Sequence, residues 1–302
     1  MCLFEGETMK LLRGTKGITF GSAWMYRALI LMLKTINIKV LYAFMAWCVI
    51  PVTMVFSPGA RIAFRYYRDR RGYGWWKSLR ATYKNHCLFG QTVIDKFAMY
   101  AGYKFKINYV GLELYNELLA RPEAFIQLSA HIGCSEILGY SLHVNKPCNV
   151  LVYGGEKASL MSYRKASFGD MNIRMIPVGV EASHSEEMVD ALSRGEILSV
   201  FADRLMNINK VVVSKIHGAE VNLAKGPFSL ATTRGIDVIM ASAMKEKDGS
   251  YTAYFTPLPY DRSLPKSEQR QQIADGYTAE IERLLEMYPL QWFNYSNPWR
   301  ND

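Results

Sequence analysis

The stretch FIQLSAHIGCSEILGYSL, residues 125–142, contains a change of pattern that decides the fold. An apolar run ends in small residues, His131 follows, and five positions later Glu136 opens a second apolar pattern. On one continuous helix, two residues five positions apart lie about 140° from each other and do not meet. Gly133 supplies the turn that would let them meet. The stretch therefore predicts a strand, a turn that carries His131, and a helix whose first turns carry Glu136.

Strand and helix patterns alternate on both sides of this stretch. Apolar runs of strand character lie at 105–110, 124–129, 148–153, 173–178, 197–202, 210–214, 236–243 and 251–257. Helical patterns begin at about residue 75 and recur near 112–120, 134–142, 156–166, 184–193, 226–234 and 267–287. The alternation predicts an α/β fold with a mixed, largely parallel central sheet flanked by helices. Sites in such sheets lie beyond the C-terminal ends of strands, where His131 is expected.

The pair of His131 and Glu136 predicts acid–base chemistry. A carboxylate can hold one ring nitrogen of an imidazole, fix its tautomer and stabilise the imidazolium. We therefore expect His131 to be a general base that Glu136 orients. This is the only match to H-x4-[DE] in the chain. The alternative is a packed histidine, with Glu136 capping the start of a helix.

Other chemistries have less support. The motifs G-x-S-x-G, G-x-x-x-x-G-K-[ST], G-x-G-x-x-G and H-E-x-x-H are all missing. Cys134 is an alternative nucleophile near His131, although cysteine is commonly buried as a small apolar residue. The five cysteines form no CxxC pair, which favours free thiols over disulfides or a zinc site. We expect no metal and no cofactor.

An uncharged stretch of 17 residues, Val40–Phe56, predicts a membrane-inserted or interfacial anchor, and a buried core helix is the alternative. Basic and aromatic residues are interleaved over 61–84, as expected on the cytoplasmic side of a membrane. An RNA-binding patch is the rival interpretation of that segment. The net charge of +9 also favours anionic partners. We predict an anchor region over 1–60 and an α/β domain over 61–302.

Several motifs, in order, resemble the bacterial lipid A late acyltransferases, a branch of the lysophospholipid acyltransferase superfamily. The resemblance runs from about Arg61 to the C-terminus and centres on HIGCSE. It continues through ILSVFADRL, where Asp203 matches the family pattern and Arg204 replaces its usual Gln. It ends with HGAEVNLAKGPFSLATTRGIDVIMA, which contains Gly226 and Pro227, and with YPLQWFNYSNPW. An Arg that the family often has after the strand NVLVY is absent.

The resemblance implies transfer of a fatty acyl chain from acyl carrier protein to a hydroxyl of a lipid acceptor, at the cytoplasmic face of the bacterial inner membrane. Coenzyme A is the alternative carrier, and a lysophospholipid-like or aminoacyl lipid is the alternative acceptor. His131 and Glu136 take the catalytic roles. The implied substrate-binding residues are Asp203, Arg204, Gly226, Pro227, Lys157 and Arg164, with Lys165 as a further replacement for the absent Arg. We expect no nucleic-acid partner. The remaining rivals are a lipid hydrolase and a non-enzymatic basic protein that binds membranes or RNA.

Overall fold

A computed structural model describes residues 23–141, 145–153, 172–178, 184–205 and 210–300. Helices and a seven-stranded sheet make up most of this part of the chain. The helices are α1 (Ala23–Thr35), α2 (Ile38–Phe56), α3 (Pro58–Arg65), α4 (Trp75–Tyr100), α5 (Leu112–Ala120), α6 (Glu136–Ser141), α7 (His184–Ser193), α8 (Lys225–Arg234) and α9 (Lys266–Met287). The strands are β1 (Ile107–Val110), β2 (Phe125–Ser129), β3 (Cys148–Tyr153), β4 (Ile173–Val178), β5 (Ile197–Phe201), β6 (Val211–Ile216), β7 (Ala219–Ala224), β8 (Asp237–Lys245) and β9 (Tyr251–Pro257).

The main sheet has the strand order β1-β9-β8-β2-β5-β3-β4. Five of its neighbouring pairs are parallel, and only β8 and β9 run antiparallel. Strand β2 lies between β8 and β5 and is buried along its whole length. The C-terminal ends of β2, β5 and β8 therefore meet at one edge of the sheet.

Apolar side chains cover both faces of this sheet. One layer contains Ile126 and Leu128 of β2 together with Ile273, Tyr277 and other residues of α9. The other contains Phe125 of β2, Tyr115 of α5 and Ile137 of α6. Because successive strand residues point to opposite faces, β2 contributes to both layers, which makes it a rigid support for the residues that follow it.

Helix α2 is the one apolar helix among the described residues that is long enough to cross a membrane, and only 6% of it is buried. Its 19 residues give a length of about 28 Å, against about 30 Å for the hydrocarbon core of a bilayer. A π-helical turn, Met45–Val49, interrupts it just before Pro51. Proline has no N–H and its ring crowds the preceding turn, which explains a local change of hydrogen bonding at this point.

The structure confirms the predicted fold class: a mixed, mostly parallel sheet flanked by helices, with one apolar helix near the N-terminus. It adds one strand, because β7 pairs with β6 in a separate antiparallel ribbon. The helix predicted at 156–166 lies outside the described residues. The division at residue 60 stays a prediction.

Candidate active site

His131 follows β2 directly, in a loop that the C-terminal segment holds in place. The carbonyl oxygen of His131 accepts a hydrogen bond from the Phe293 N–H, at 2.7 Å, and the Gly133 N–H donates to the Gln291 carbonyl, at 3.0 Å. Gly133 has a φ of +57°. A Cβ at this position would lie 2.1 Å from the carbonyl oxygen of Ala243. Only glycine fits this turn, which therefore fixes how the chain passes from His131 to Glu136.

Asp203 lies next to His131 because β2 and β5 stay in register. The last pair of the two strands is Ser129 with Phe201, so residues 131 and 203 continue side by side beyond the strand ends. One Asp203 oxygen, Oδ1, lies 2.7 Å from Nδ1 of His131, and the other accepts the His131 backbone N–H at 2.8 Å. Phe201 packs against the imidazole, with ring centroids 4.7 Å apart. The ring is thus fixed in both position and plane.

The protonation state of this pair follows from its contacts. Burial acts to raise the pKa of Asp203, but the charge and hydrogen bonds of His131, with the charge of Arg204, outweigh it and lower the pKa. An ionised carboxylate only accepts, so the Nδ1–H of His131 donates to it. The neutral ring then carries its lone pair on Nε2. The side chain of His131 is 26% exposed and that of Asp203 is 5% exposed, so the imidazole is the accessible member of the pair.

Glu136 is the first residue of α6 and forms an ion pair with Lys96 of α4. Its side chain is 30% exposed, and that of Lys96 is 12% exposed. The structure places Asp203 on Nδ1 of His131. The orienting role that the sequence assigns to Glu136 stays a prediction.

The sequence model of the bacterial lipid A biosynthesis acyltransferases matches residues 89–301, which is more than half of the chain. The chain belongs to this family. No curated protein sequence matches the chain at a significant level. The matched region contains the whole sheet, His131, Glu136 and Asp203, whereas α2 precedes it.

Arg204 of this acyltransferase points into the protein. Its Nε donates to Oδ1 of Asn294 and its Nη2 to the carbonyl oxygen of Phe293, each at 3.2 Å. Burial lowers the pKa of the guanidinium. These contacts connect the strand end that carries Asp203 to the C-terminal segment. The role of Arg204 in substrate binding stays a prediction.

The remaining predicted site residues are not all brought to His131. Gly226 and Pro227 lie in the first turn of α8. The Ala224 N–H, at the end of β7, donates to the carbonyl oxygen of Ala202 at 3.1 Å, so α8 begins close to the strand end that carries Asp203. Lys157, Arg164 and Lys165 lie outside the described residues.

Three residues of the acyltransferase support the site and were not singled out from the sequence: Asn294, Gln291 and Lys96. The Asn294 amide donates to the carbonyl oxygen of Asp203 at 2.8 Å. The Gln291 side chain accepts the Lys245 N–H at 2.9 Å and donates to the Lys245 carbonyl oxygen at 2.7 Å. Asn294 and Gln291 both belong to the motif YPLQWFNYSNPW. The sequence shows this motif, but it does not show which residues the two side chains contact.

Cys134 is buried, and burial, followed by the charges of Glu136 and Asp95, raises the pKa of its thiol to about 12. A thiol with so high a pKa stays protonated at neutral pH and is a poor nucleophile. The raised pKa of this thiol therefore argues against Cys134 as a nucleophile.

Proposed function

We propose that this acyltransferase moves a fatty acyl chain from acyl carrier protein, or from coenzyme A, to a hydroxyl of a lipid acceptor such as a lipid A precursor. The observation that carries the proposal is the pairing of His131 with the buried Asp203 at the C-terminal edge of the sheet, in a member of an acyltransferase family. The reaction takes place at the cytoplasmic face of the inner membrane.

In the proposed reaction His131 is the general base. Its Nε2 removes the proton of the acceptor hydroxyl, while Nδ1–H remains donated to Asp203. The acceptor oxygen attacks the thioester carbonyl and forms a tetrahedral oxyanion, which backbone N–H groups stabilise. The C–S bond then breaks, the ester forms, and the departing thiolate takes the proton back from the imidazolium. No enzyme-bound acyl intermediate is needed.

Asp203 supports this chemistry through charge and geometry. It holds the tautomer that leaves Nε2 free, and its negative charge stabilises the imidazolium that forms during proton transfer. Glu136 is the second acid of the proposed site. Its ion pair with Lys96 fixes the start of α6 against α4, and its carboxylate adds negative charge near the loop that carries His131.

Two features of the whole chain support a lipid acceptor and an acidic donor. Helix α2 is apolar and almost entirely unburied, so it suits insertion into a bilayer, where a lipid acceptor resides. The net charge of +9 suits an acidic carrier protein, because opposite charges raise the rate of encounter.

The proposal is tested with the purified full chain in phospholipid vesicles, acyl carrier protein loaded with a fatty acid, and bacterial lipid extract as acceptor. His131→Ala is expected to abolish ester formation while far-UV circular dichroism and co-sedimentation with vesicles are retained. Cys134→Ser is the control, and it is expected to keep most of the turnover. Ester formation by His131→Ala at the wild-type rate would refute His131 as the general base. Loss of activity in folded Cys134→Ser would instead assign the catalytic role to Cys134.

A further inference from the structure

Helix α2 packs along α4. A Cβ on Gly90 of α4 would lie 2.8 Å from the Met45 side chain of α2, so the two helices touch there. The Tyr83 hydroxyl donates to the carbonyl oxygen of Ala46 at 2.9 Å. The N–H of Ile50 donates to the carbonyl oxygen of Met45, five residues earlier. The next residue, Pro51, has no N–H that could donate to the carbonyl oxygen of Ala46. The π-helical turn thus leaves the Ala46 carbonyl oxygen free to accept the hydrogen bond from Tyr83 of α4.

Beside this contact the two helices form a groove of about 680 Å³ that is open to the surface. It is lined by Pro51, Met54, Val55, Trp76, Leu79, Arg80 and Tyr83. Its size falls in the range of about 300–1,000 Å³ that is usual for small-molecule sites. Arg80 lies about 24 Å from Lys96 along α4, at about 1.5 Å of rise per residue. The groove is therefore separate from the contacts of Glu136 and His131.

The walls of the groove are apolar, and its charge is positive. Trp76 is 77% exposed and Val55 is 72% exposed, so large apolar side chains stand unburied on both helices. Among the described lining residues Arg80 alone is charged. Its side chain is exposed, and it forms no ion pair within the described part of the chain. Lys77 and Lys84 are exposed on the same helix and add to the positive potential.

We propose that this groove binds one anionic phospholipid of the surrounding membrane. An acyl chain lies on the wall formed by Met54, Val55 and Leu79, and the phosphate accepts hydrogen bonds from the Arg80 guanidinium. Trp76 and Tyr83 have the amphipathic character that favours the headgroup layer. The bound lipid covers the exposed apolar surface that α2 and α4 form together. The proposal concerns a resident lipid, and it does not depend on which acceptor the enzyme acylates.

Native mass spectrometry of the delipidated full chain in detergent tests whether the groove prefers an anionic headgroup. The chain is titrated with dioleoyl phosphatidylglycerol or with dioleoyl phosphatidylcholine. We expect a one-to-one adduct that is about fivefold tighter with phosphatidylglycerol, since one cation near an anionic headgroup contributes about 1 kcal/mol. Arg80→Gln should remove this preference, whereas Arg65→Gln removes the same charge from an exposed position outside the groove and should leave it intact. Equal effects of the two variants would overturn the proposal.

A second variant tests the apolar wall without changing charge. Leu79→Trp places a larger ring in the groove and should weaken the adducts of both phospholipids, whereas the same substitution at Leu31, which is 64% exposed on α1, should not. Undiminished adducts in Leu79→Trp would show that the lipid binds elsewhere. The readout is lipid binding rather than acyl transfer, so an inactive enzyme that still binds phosphatidylglycerol would refute the proposed function and leave this site standing.

Discussion

At the scale of single residues, His131 could be found from the sequence and its main partner could not. The change from an apolar run to a glycine turn marks His131 as a residue at a strand end, and the structure places it there. Asp203 lies 72 positions away in sequence. It meets His131 only because β5 pairs with β2, and strand order depends on packing that no local pattern records. Glu136 is nearer in sequence and forms an ion pair with Lys96, and its orienting role stays a prediction.

Asp203→Asn is predicted to lower kcat by about 10²–10⁴-fold with little change in KM, because an amide can no longer stabilise the imidazolium. Steady-state kinetics with acylated carrier protein measures this loss. Glu136→Gln keeps the size of its side chain and removes only the charge opposite Lys96. If Asp203 orients the base, the loss should be smaller in Glu136→Gln than in Asp203→Asn. The reverse order would return the orienting role to Glu136.

Gly133→Ala is predicted to destabilise the protein and to displace His131. Gly133 combines a φ of +57° with a Cβ position 2.1 Å from the carbonyl oxygen of Ala243. An alanine there would therefore have a strained backbone and would also clash with Ala243. Gly72 has a similar φ of +63° and nothing within 4 Å of its Cβ position. Gly72→Ala should therefore cost only about 1–2 kcal/mol of unfolding free energy, and Gly133→Ala clearly more. Denaturant unfolding measures the unfolding free energy of both variants. Equal losses of unfolding free energy would contradict the packing described for the His131 loop.

At the scale of elements, the helices from residue 75 onward and eight of the nine strands follow from periodicity, whereas strand β7 does not. Helices α5 and α7 begin and end where the apolar spacing predicts. Strand β7 was not predicted, since AEVNLA is short and places Glu220 and Asn222 among its apolar residues. The strand forms because its backbone pairs with that of β6, and the local sequence alone does not indicate this pairing. A strand of this kind is recognisable only beside its partner.

A buried ion pair and its hydrogen bonds connect four elements beneath the site. Lys245, at the end of β8, lies 2.5 Å from Asp95 of α4, and their side chains are 3% and 0% exposed. Asp95 also accepts hydrogen bonds from Tyr42 of α2 and Tyr251 of β9. The pair therefore joins the apolar helix to the edge of the sheet that carries His131. This connection was not predicted, since Asp95 and Lys245 lie in different patterns of the sequence.

Lys245→Met is predicted to destabilise the fold by about 3–5 kcal/mol, because it leaves Asp95 buried without a counter-charge. Lys247→Met removes an exposed lysine two residues away and should change stability by less than about 0.5 kcal/mol. Denaturant unfolding of both variants measures the difference. A loss in Lys245→Met as small as that in Lys247→Met would show that Asp95 and Lys245 are not paired in solution.

At the scale of the whole molecule, the apolar helix and the net charge of +9 predict a membrane and an anionic partner, and both stay predictions. The fold class, the family and the position of the apolar helix all follow from the sequence. The strand order, the contact of the C-terminal segment with the His131 loop and the groove between α2 and α4 arise only when distant segments pack. These are the features that turn separate motifs into one site.

The net charge of +9 predicts a salt dependence that distinguishes the two donors. With acylated carrier protein, kcat/KM should fall steeply between low salt and about 0.5 M salt while kcat changes little, since salt screens long-range attraction between the partners. An acyl donor that lacks the carrier protein should show a smaller fall. Stopped-time assays at several salt concentrations provide the comparison. An identical salt response for both donors would argue against electrostatic capture of the carrier protein.

The most direct test of the central claim is mass spectrometry of lipids from a strain that lacks the gene. We predict that the deletion strain accumulates a lipid that is one acyl chain short. A plasmid copy of the wild-type gene should restore the acylated product, and a copy carrying His131→Ala, produced to the same level in the membrane, should not. Restoration of the acylated lipid by His131→Ala would contradict the account.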